Sequence, residues 1–149
     1  MAQTRLDRQK VIALMAGLEF FERLSGYEKK RLSGHSTNFH TYRNGSQIIM
    51  EGSRDTSFFI LLIGHVTILK RRAEIARLGP GEFFGEMAFL TDSPRSTSVV
   101  ADGEVVVLEL DQDLMKRLGT EIREKIKDHI IEILIHRLNR TTSRMRSRM

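Results

Sequence analysis

Apolar residues recur at helical spacing at both ends of the chain and at strand spacing in between. Near the start, Val11, Ile12, Leu14, Met15 and Leu18 follow the polar run Asp7, Arg8, Gln9 and Lys10, a stripe that predicts a helix over about residues 6–21. Phe20, Phe21 and Leu24 carry the apolar side to a stop at Ser25-Gly26, and residues 27–32 read as a second short helix ending near Gly34. From Asn38 the pattern turns to short β-like runs, 39–42 and 47–50, with Asn44-Gly45 between them as a hairpin signal. Residues 57–63 (SFFILLI) form a buried strand, Gly64 breaks it, and 65–70 alternates. Arg71-Arg72 turns the chain into 74–78, and 97–101, Asp102-Gly103 and 104–110 read as strand, turn and strand. Many short strands at even spacing predict a β-roll or barrel. After Leu110, Asp111 caps a helix through Leu118, Gly119 breaks it, and Thr120 opens a longer helix to about Asn139. Ile122, Ile126, Ile130, Ile133, Leu134 and Leu138 line one side of it, while Ile131 and Ile135 widen the stripe. Packing against the barrel accounts for such a face, and so does a second copy of the chain.

The densest chemistry lies at residues 78–100, LGPGEFFGEMAFLTDSPRSTSVV. Gly79-Pro80-Gly81 marks a turn, and Phe83-Phe84 is too apolar for open water. Gly85 precedes a short helix-capable run over 86–90, whose first backbone N–H groups lack partners within the helix and suit an anion. Arg95 adds an always-charged, planar set of donors matched to phosphate oxygens, with the hydroxyls and amides of Ser96 and Thr97 next to it. A carboxylate at Glu86 repels a phosphate unless it faces a hydroxyl, and a sugar supplies one.

These residues resemble the phosphate-binding cassette of the cyclic nucleotide-binding domain family, the domain of bacterial cAMP receptor proteins, protein kinase A regulatory subunits and cyclic nucleotide-gated channels. The FGEMA and PRSTSV clusters both agree with the family pattern, and Gly45, Ile48, Glu51-Gly52, residues 58–63, Gly64 and Val66 extend the likeness over about residues 20–140. The resemblance implies an eight-stranded jelly-roll-like barrel with helices at both ends, the ribose 2′-hydroxyl on Gly85 and Glu86, and the cyclic phosphate on Arg95. Met87 and Ala88 complete the ligand-binding run with Ser96 and Thr97, the amides near Ala88 and Ser96 serving the phosphate. Thr97 departs from the usual alanine and adds a hydroxyl and volume beside the phosphate. Ile68, Ile75, Leu78 and Phe84 are candidates for the wall against the base. A lid is expected from the last helix between Ile131 and Thr141, with Arg137 or Arg140 over the base. The residue after the cassette arginine is often Thr in relatives that prefer guanine; Ser96 shares its hydroxyl but also occurs with adenine, and the reading leans to cAMP over cGMP.

The composition narrows the alternatives. At 149 residues with no cysteine, the chain is the size of one domain and has no disulfide framework or cysteine metal site. Neither a secretory leader nor a membrane span is expected, and a cytoplasmic location is. Of the net charge of +5, the tail alone supplies as much: Arg137, Arg140, Arg144, Arg146 and Arg148 have no acid among them. Residues 141–149 read as a basic tail on a single domain over 1–140, with N-terminal helices at about 6–35, a β-roll at about 38–110 and C-terminal helices at about 111–140. The five histidines are scattered, so no metal site or cofactor is expected, and no nucleophile elbow or P-loop points to an enzyme. The few residues after Asn139 are too short for a DNA-binding helix-turn-helix. The expectation is a cyclic nucleotide receptor, alone or as the sensor of a larger protein with an unknown output partner. The alternative is a ligand-independent interaction or dimerisation scaffold, and after it a truncated transcription regulator.

Overall fold

A computed structural model describes residues 8–147, with side chains for 9–140. In chain order the elements are α1 (Arg8–Ala16), a 3-10 turn (Glu19–Phe21), α2 (Gly26–Ser33), a second 3-10 turn (Ser36–Asn38), β1 (Phe39–Tyr42), β2 (Gln47–Ile49), β3 (Phe58–Lys70), β4 (Ala73–Leu78), β5 (Phe83–Phe84), α3 (Glu86–Thr91), β6 (Ser98–Leu110), α4 (Gln112–Leu118) and α5 (Thr120–Ser147). The architecture is an antiparallel sheet flanked by helices, in the order β1-β6-β3-β4, with β2 also on β6 and β5 also on β3.

Among the described residues six strands stand where eight are expected. The difference lies in β3 and β6, which run straight through Gly64 and Asp102-Gly103 instead of stopping there. Both glycines take positive φ, and the β3–β6 pairing slips on either side of Ile63, so each long strand bends while its ladder resumes on the other side. Gly64 is also packed too tightly for a side chain: a Cβ there would lie 2.3 Å from the Glu104 carbonyl oxygen.

The Asn44-Gly45 hairpin does not form. Strands β1 and β2 both pair with β6, one beyond the other, and not with each other. Asn44 Oδ1 instead accepts from the Gly103 amide at 2.8 Å, and the Gly45 amide donates to the Ala101 carbonyl at 2.8 Å, so the Asn-Gly bend matches the bend in β6.

At the N-terminal end α1 stops at Ala16, before Gly17, and does not reach the expected Phe21; Leu6 lies outside the described residues. Ser25 caps the start of α2 rather than ending a helix, through a reciprocal pair in which its hydroxyl accepts from the Glu28 amide and its amide donates to Glu28 Oε1. Asp111 caps α4 as its sequence predicts, accepting from the Leu114 amide at 2.7 Å. Helix α5 continues to Ser147, through most of the stretch read as a tail. The Arg144 and Arg146 side chains and all of Arg148 lie outside the described residues.

Alternation along the strands feeds two cores. Phe58, Ile60 and Leu62 of β3 and Val106, Leu108 and Leu110 of β6 face the helices, meeting Met15, Phe21, Leu32, Met115, Ile122, Ile126 and Ile130. Phe59 and Leu61, with Val105 and Val107, face the other way into a cluster with Tyr42, Ile49, Val66, Ile68, Phe84, Val99 and Ala101. Burial in this second cluster pushes the Tyr42 hydroxyl up to about 12, with Glu109 adding to the rise. Polar ties hold α2 to the C-terminal helices: Lys125 pairs with buried Glu28 at 2.7 Å, and Arg31 donates to the Leu118 and Arg117 carbonyls at 3.1 Å each, closing the end of α4.

Candidate functional site

The candidate site is built on the second core, where β5 passes into α3. Gly85 occupies the left-handed region with φ 81° and caps α3. Only glycine fits there, because a Cβ would sit 2.8 Å from Arg95 Nη1 and 3.2 Å from the Ser57 carbonyl oxygen. The glycine therefore serves a close approach by the arginine as well as a turn.

Arg95 is buried and held from several sides. Its backbone amide donates to the Ser53 carbonyl and its carbonyl accepts from the Gly52 amide, each at 2.8 Å, which fixes the residue against the loop after β2. Its guanidinium donates to the Gly85 carbonyl at 2.8 Å, to Asp55 Oδ2 from Nη2 at 2.7 Å and from Nε at 3.3 Å, and to the Ser57 carbonyl. Burial alone would raise the Asp55 carboxyl, but hydrogen bonds from Arg95 and Ser53 and the charge of Arg95 outweigh it and hold the group below the ordinary aspartate range. Asp55 was not singled out from the sequence. Its one signal was an acid just ahead of a doubly buried strand, where a buried cation needs a partner.

Between these elements lies a cavity of about 270 Å³. Its wall brings together Gly85, Glu86, Met87, Ala88, Arg95, Ser96 and Thr97, all seven cassette residues marked in the sequence. Ile68, Leu78 and Phe84 add apolar surface, and Phe84 stacks on Phe59 with centroids 5.2 Å apart. Ile49, Ala76, Phe83, Ser93 and Pro94 also line it and were not anticipated. Ala76 was hidden by its small size, whereas Ile75, its larger neighbour on β4, was expected at the wall and is exposed away from the cavity. Of the two lid candidates, Arg137 lines the cavity and lies over the Phe83 ring at 5.1 Å, while Arg140 is exposed and does not line it.

Glu86 is partly buried at this wall. Burial pushes its carboxyl above the ordinary range, opposed by a backbone hydrogen bond and by the charges of Arg137 and Arg95. The cavity thus pairs a cationic side with a carboxyl able to take a hydroxyl, beside aromatic and aliphatic surface. Among the described residues no cluster of three or more His, Asp or Glu could hold a metal ion, and no helix is long and apolar enough to cross a membrane.

Known proteins share this fold. A cAMP-dependent protein kinase regulatory subunit of Neurospora crassa is 31% identical over 120 residues, 79% of this chain and 31% of that protein, so the chain spans about a third of the length of the curated relative it matches. The regulatory domain of Toxoplasma gondii PKA in complex with cAMP superposes with a TM-score of 0.66 at 21% identity, over 84% of this chain and 50% of that one. The regulatory subunit of a cAMP-independent protein kinase A from Trypanosoma brucei gives 0.70 at 23% identity, over 85% and 45%. The family model described as the cyclic nucleotide-binding domain matches residues 39–121, more than half of the chain and the whole of the sheet and cassette, and the chain belongs to that family.

Proposed function

We propose that this chain is a cyclic nucleotide receptor domain that binds cAMP in preference to cGMP and signals by closure of α5 over the site. The observation that carries this reading is the convergence of Arg95, Glu86 and Arg137 on one cavity with an apolar wall. In the bound form the cyclic phosphate lies on Arg95 and on the amides near Ala88 and Ser96, with Met87 and Thr97 around it. Gly85 and Glu86 take the ribose 2′-hydroxyl, which donates to the partly buried carboxyl. The base packs on Ile68, Leu78 and Phe84, and Arg137 covers it from α5. Ligand closes the helix by the difference in its affinity for the open and closed forms, and contacts to Arg137 supply that difference. The role is recognition rather than catalysis, passed to an output partner. The bends at Gly64 and Asp102-Gly103 support reading β3 and β6 as two segments each, as the jelly-roll implied by the family resemblance requires.

A second reading rests on two observations. The Arg95 guanidinium already bonds to Asp55 and to the carbonyls of Gly85 and Ser57, and Thr97 stands beside the cavity in place of alanine. A scaffold that keeps the cassette for its fold is compatible with both, and the matched folds include a protein described as cAMP-independent. In that case Ile131, Ile135 and Leu138, exposed along α5, offer a face to a second copy. Thermal unfolding with millimolar cAMP, cGMP and AMP separates the readings, because a ligand that binds only the folded chain raises its melting temperature. The receptor reading expects the largest shift with cAMP, a smaller one with cGMP and none with AMP. No shift with any nucleotide favours the scaffold.

A further inference from the structure

His129 sits on α5 with its ring edge-on to Phe20, centroids 4.8 Å apart and planes at 80°. It is 9% exposed, and among the described residues neither ring nitrogen has a hydrogen-bond partner. A neutral imidazole carries one donor and one acceptor, and burying both unpaired forfeits stability that a leucine or phenylalanine in the same seat would keep. A charged imidazole fits there far worse. Charged groups nevertheless surround the seat: Glu19, Glu22 and Arg23 on and beside the first 3-10 turn, and Glu132 one turn along α5. Arg23 is itself tied to Glu132, with Nη1 donating to Oε1 at 2.8 Å. Next to the ring a cleft of about 480 Å³ opens between that 3-10 turn, residues 80–83 and α5, with His129 on its wall and Glu19, Glu82, His136 and Arg137 around it.

We propose that His129 is a proton-operated latch on α5: protonation drives its ring from the seat on Phe20 into the adjoining cleft, lifts α5 off the 3-10 turn, and withdraws Arg137 from the nucleotide cavity. The cleft gives the ring somewhere to go, and the glutamates give the imidazolium partners. Arg137 transmits the movement because it lies further along the same helix, over Phe83, at the shared edge of cleft and cavity. Burial first, and then the charge of Arg23, hold the imidazole below its ordinary value against the pull of Glu132, Glu19 and Glu22. The undocked helix therefore binds the proton more readily than the docked one. Docking is at full strength above about pH 6.5, the value of a free histidine, and weakens as pH falls through that value toward the depressed one. The latch is a property of the unliganded chain; its effect on nucleotide rests on the receptor reading above.

Amide hydrogen exchange of the nucleotide-free chain, expressed as protection factors at about pH 5.5 and about pH 7.5 on either side of the free-histidine value, reads the latch without ligand. The parent is expected to lose up to about tenfold in protection over residues 126–138 at the lower pH, the ceiling set by the free-histidine value, while His129→Phe and His129→Leu keep the same protection at both. Equal protection in the parent at the two pH values, or an equal acid loss in both variants, overturns the latch. Should neither variant fold, NMR titration of the parent's His129 ring replaces them, and a value at or above that of a free histidine overturns the proposal. Titration with cAMP at the same pH values is expected to show about three- to tenfold weaker binding at low pH in the parent and none of that loss in His129→Phe. Acid-labile protection with no cAMP binding at either pH supports the latch and counts against the receptor reading. Acid-labile protection with pH-independent cAMP affinity overturns the link to Arg137.

Discussion

Phe83 and Phe84 are neighbours on one two-residue strand, both almost fully buried, yet they enter different cores. Phe83 joins the helix-side core, a broad seam of Phe, Met, Leu and Ile that reaches from α1 to α5. Phe84 joins the inner core, where Val, Ile and Ala predominate and a cavity of about 270 Å³ remains beside a buried arginine. Large side chains interlock on one face, and on the other small branched ones leave room that a buried guanidinium and its partners rim. On the receptor reading the division separates stability from recognition across one sheet: one face holds the helices on, and the other lines a cavity with charge at its edge.

The hardest test of that division is a deletion in the helix-side core. Phe21 is fully buried among helix-side residues. Phe21→Ala is expected to cost about 3–5 kcal/mol of stability by denaturant unfolding, the range for a large buried ring. Under conditions where the variant remains folded, its cAMP affinity is expected to stay within about twofold of the parent, since Phe21 does not itself line the cavity. A collapse in affinity with the fold retained would break the division. The reciprocal change is Arg95→Ala, expected to cost about 2–4 kcal/mol of cAMP binding by calorimetry as charged hydrogen bonds are lost. Its stability loss is expected to be smaller than that of Phe21→Ala, because Asp55, the charged partner left behind, is half-exposed and regains water, which leaves the Gly85 and Ser57 carbonyls as the main cost. Parental affinity in the Arg95→Ala chain would remove the arginine from the site.

The two faces were unequally legible in the sequence. Helical stripes at 11–15 and 122–130 and the doubly apolar run at 58–62 announced the helix-side core, because burial leaves a periodicity that needs no knowledge of partners. The cassette was legible for another reason: glycine, glutamate and arginine are poor choices beside a buried apolar run unless they face something. What stayed hidden depended on pairing between distant segments. Asn44-Gly45 carries a hairpin signal locally, yet it matches a bend in β6, and only the ladder partner reveals that. Gly64 reads as a strand end because glycine permits a turn, whereas here it permits a bend under the Glu104 carbonyl. Asp55 and Ala76 were missed because a loop acid and a small strand residue carry no period. The unpaired burial of His129 likewise depends on Phe20, far away in the chain.

Arg137 belongs to both faces, and it gives the finest test of the division. Its guanidinium lines the cavity and lies over Phe83, which joins the helix-side core and also lines the cavity, so the boundary runs through this contact. A cation over an aromatic ring is worth about 0.5–2 kcal/mol depending on how far it is desolvated, and Arg137 is half-buried. On the receptor reading Arg137 makes the same kind of contact with the base, so Arg137→Ala is expected to weaken cAMP binding by about two- to thirtyfold, that range expressed as affinity, and to lower the unfolding free energy by no more than about 2 kcal/mol through the lost Phe83 contact. Arg140→Ala, one turn further on α5 but off the cavity, removes the same charge from the same helix and is expected to leave affinity within about twofold. Comparing the two variants at low and high salt separates contact from field. A loss confined to Arg137→Ala and insensitive to salt marks a contact at the cavity. Equal losses in both variants that vanish at high salt would mean that α5 acts only through its net charge, and the boundary between the two faces would then carry no part of recognition.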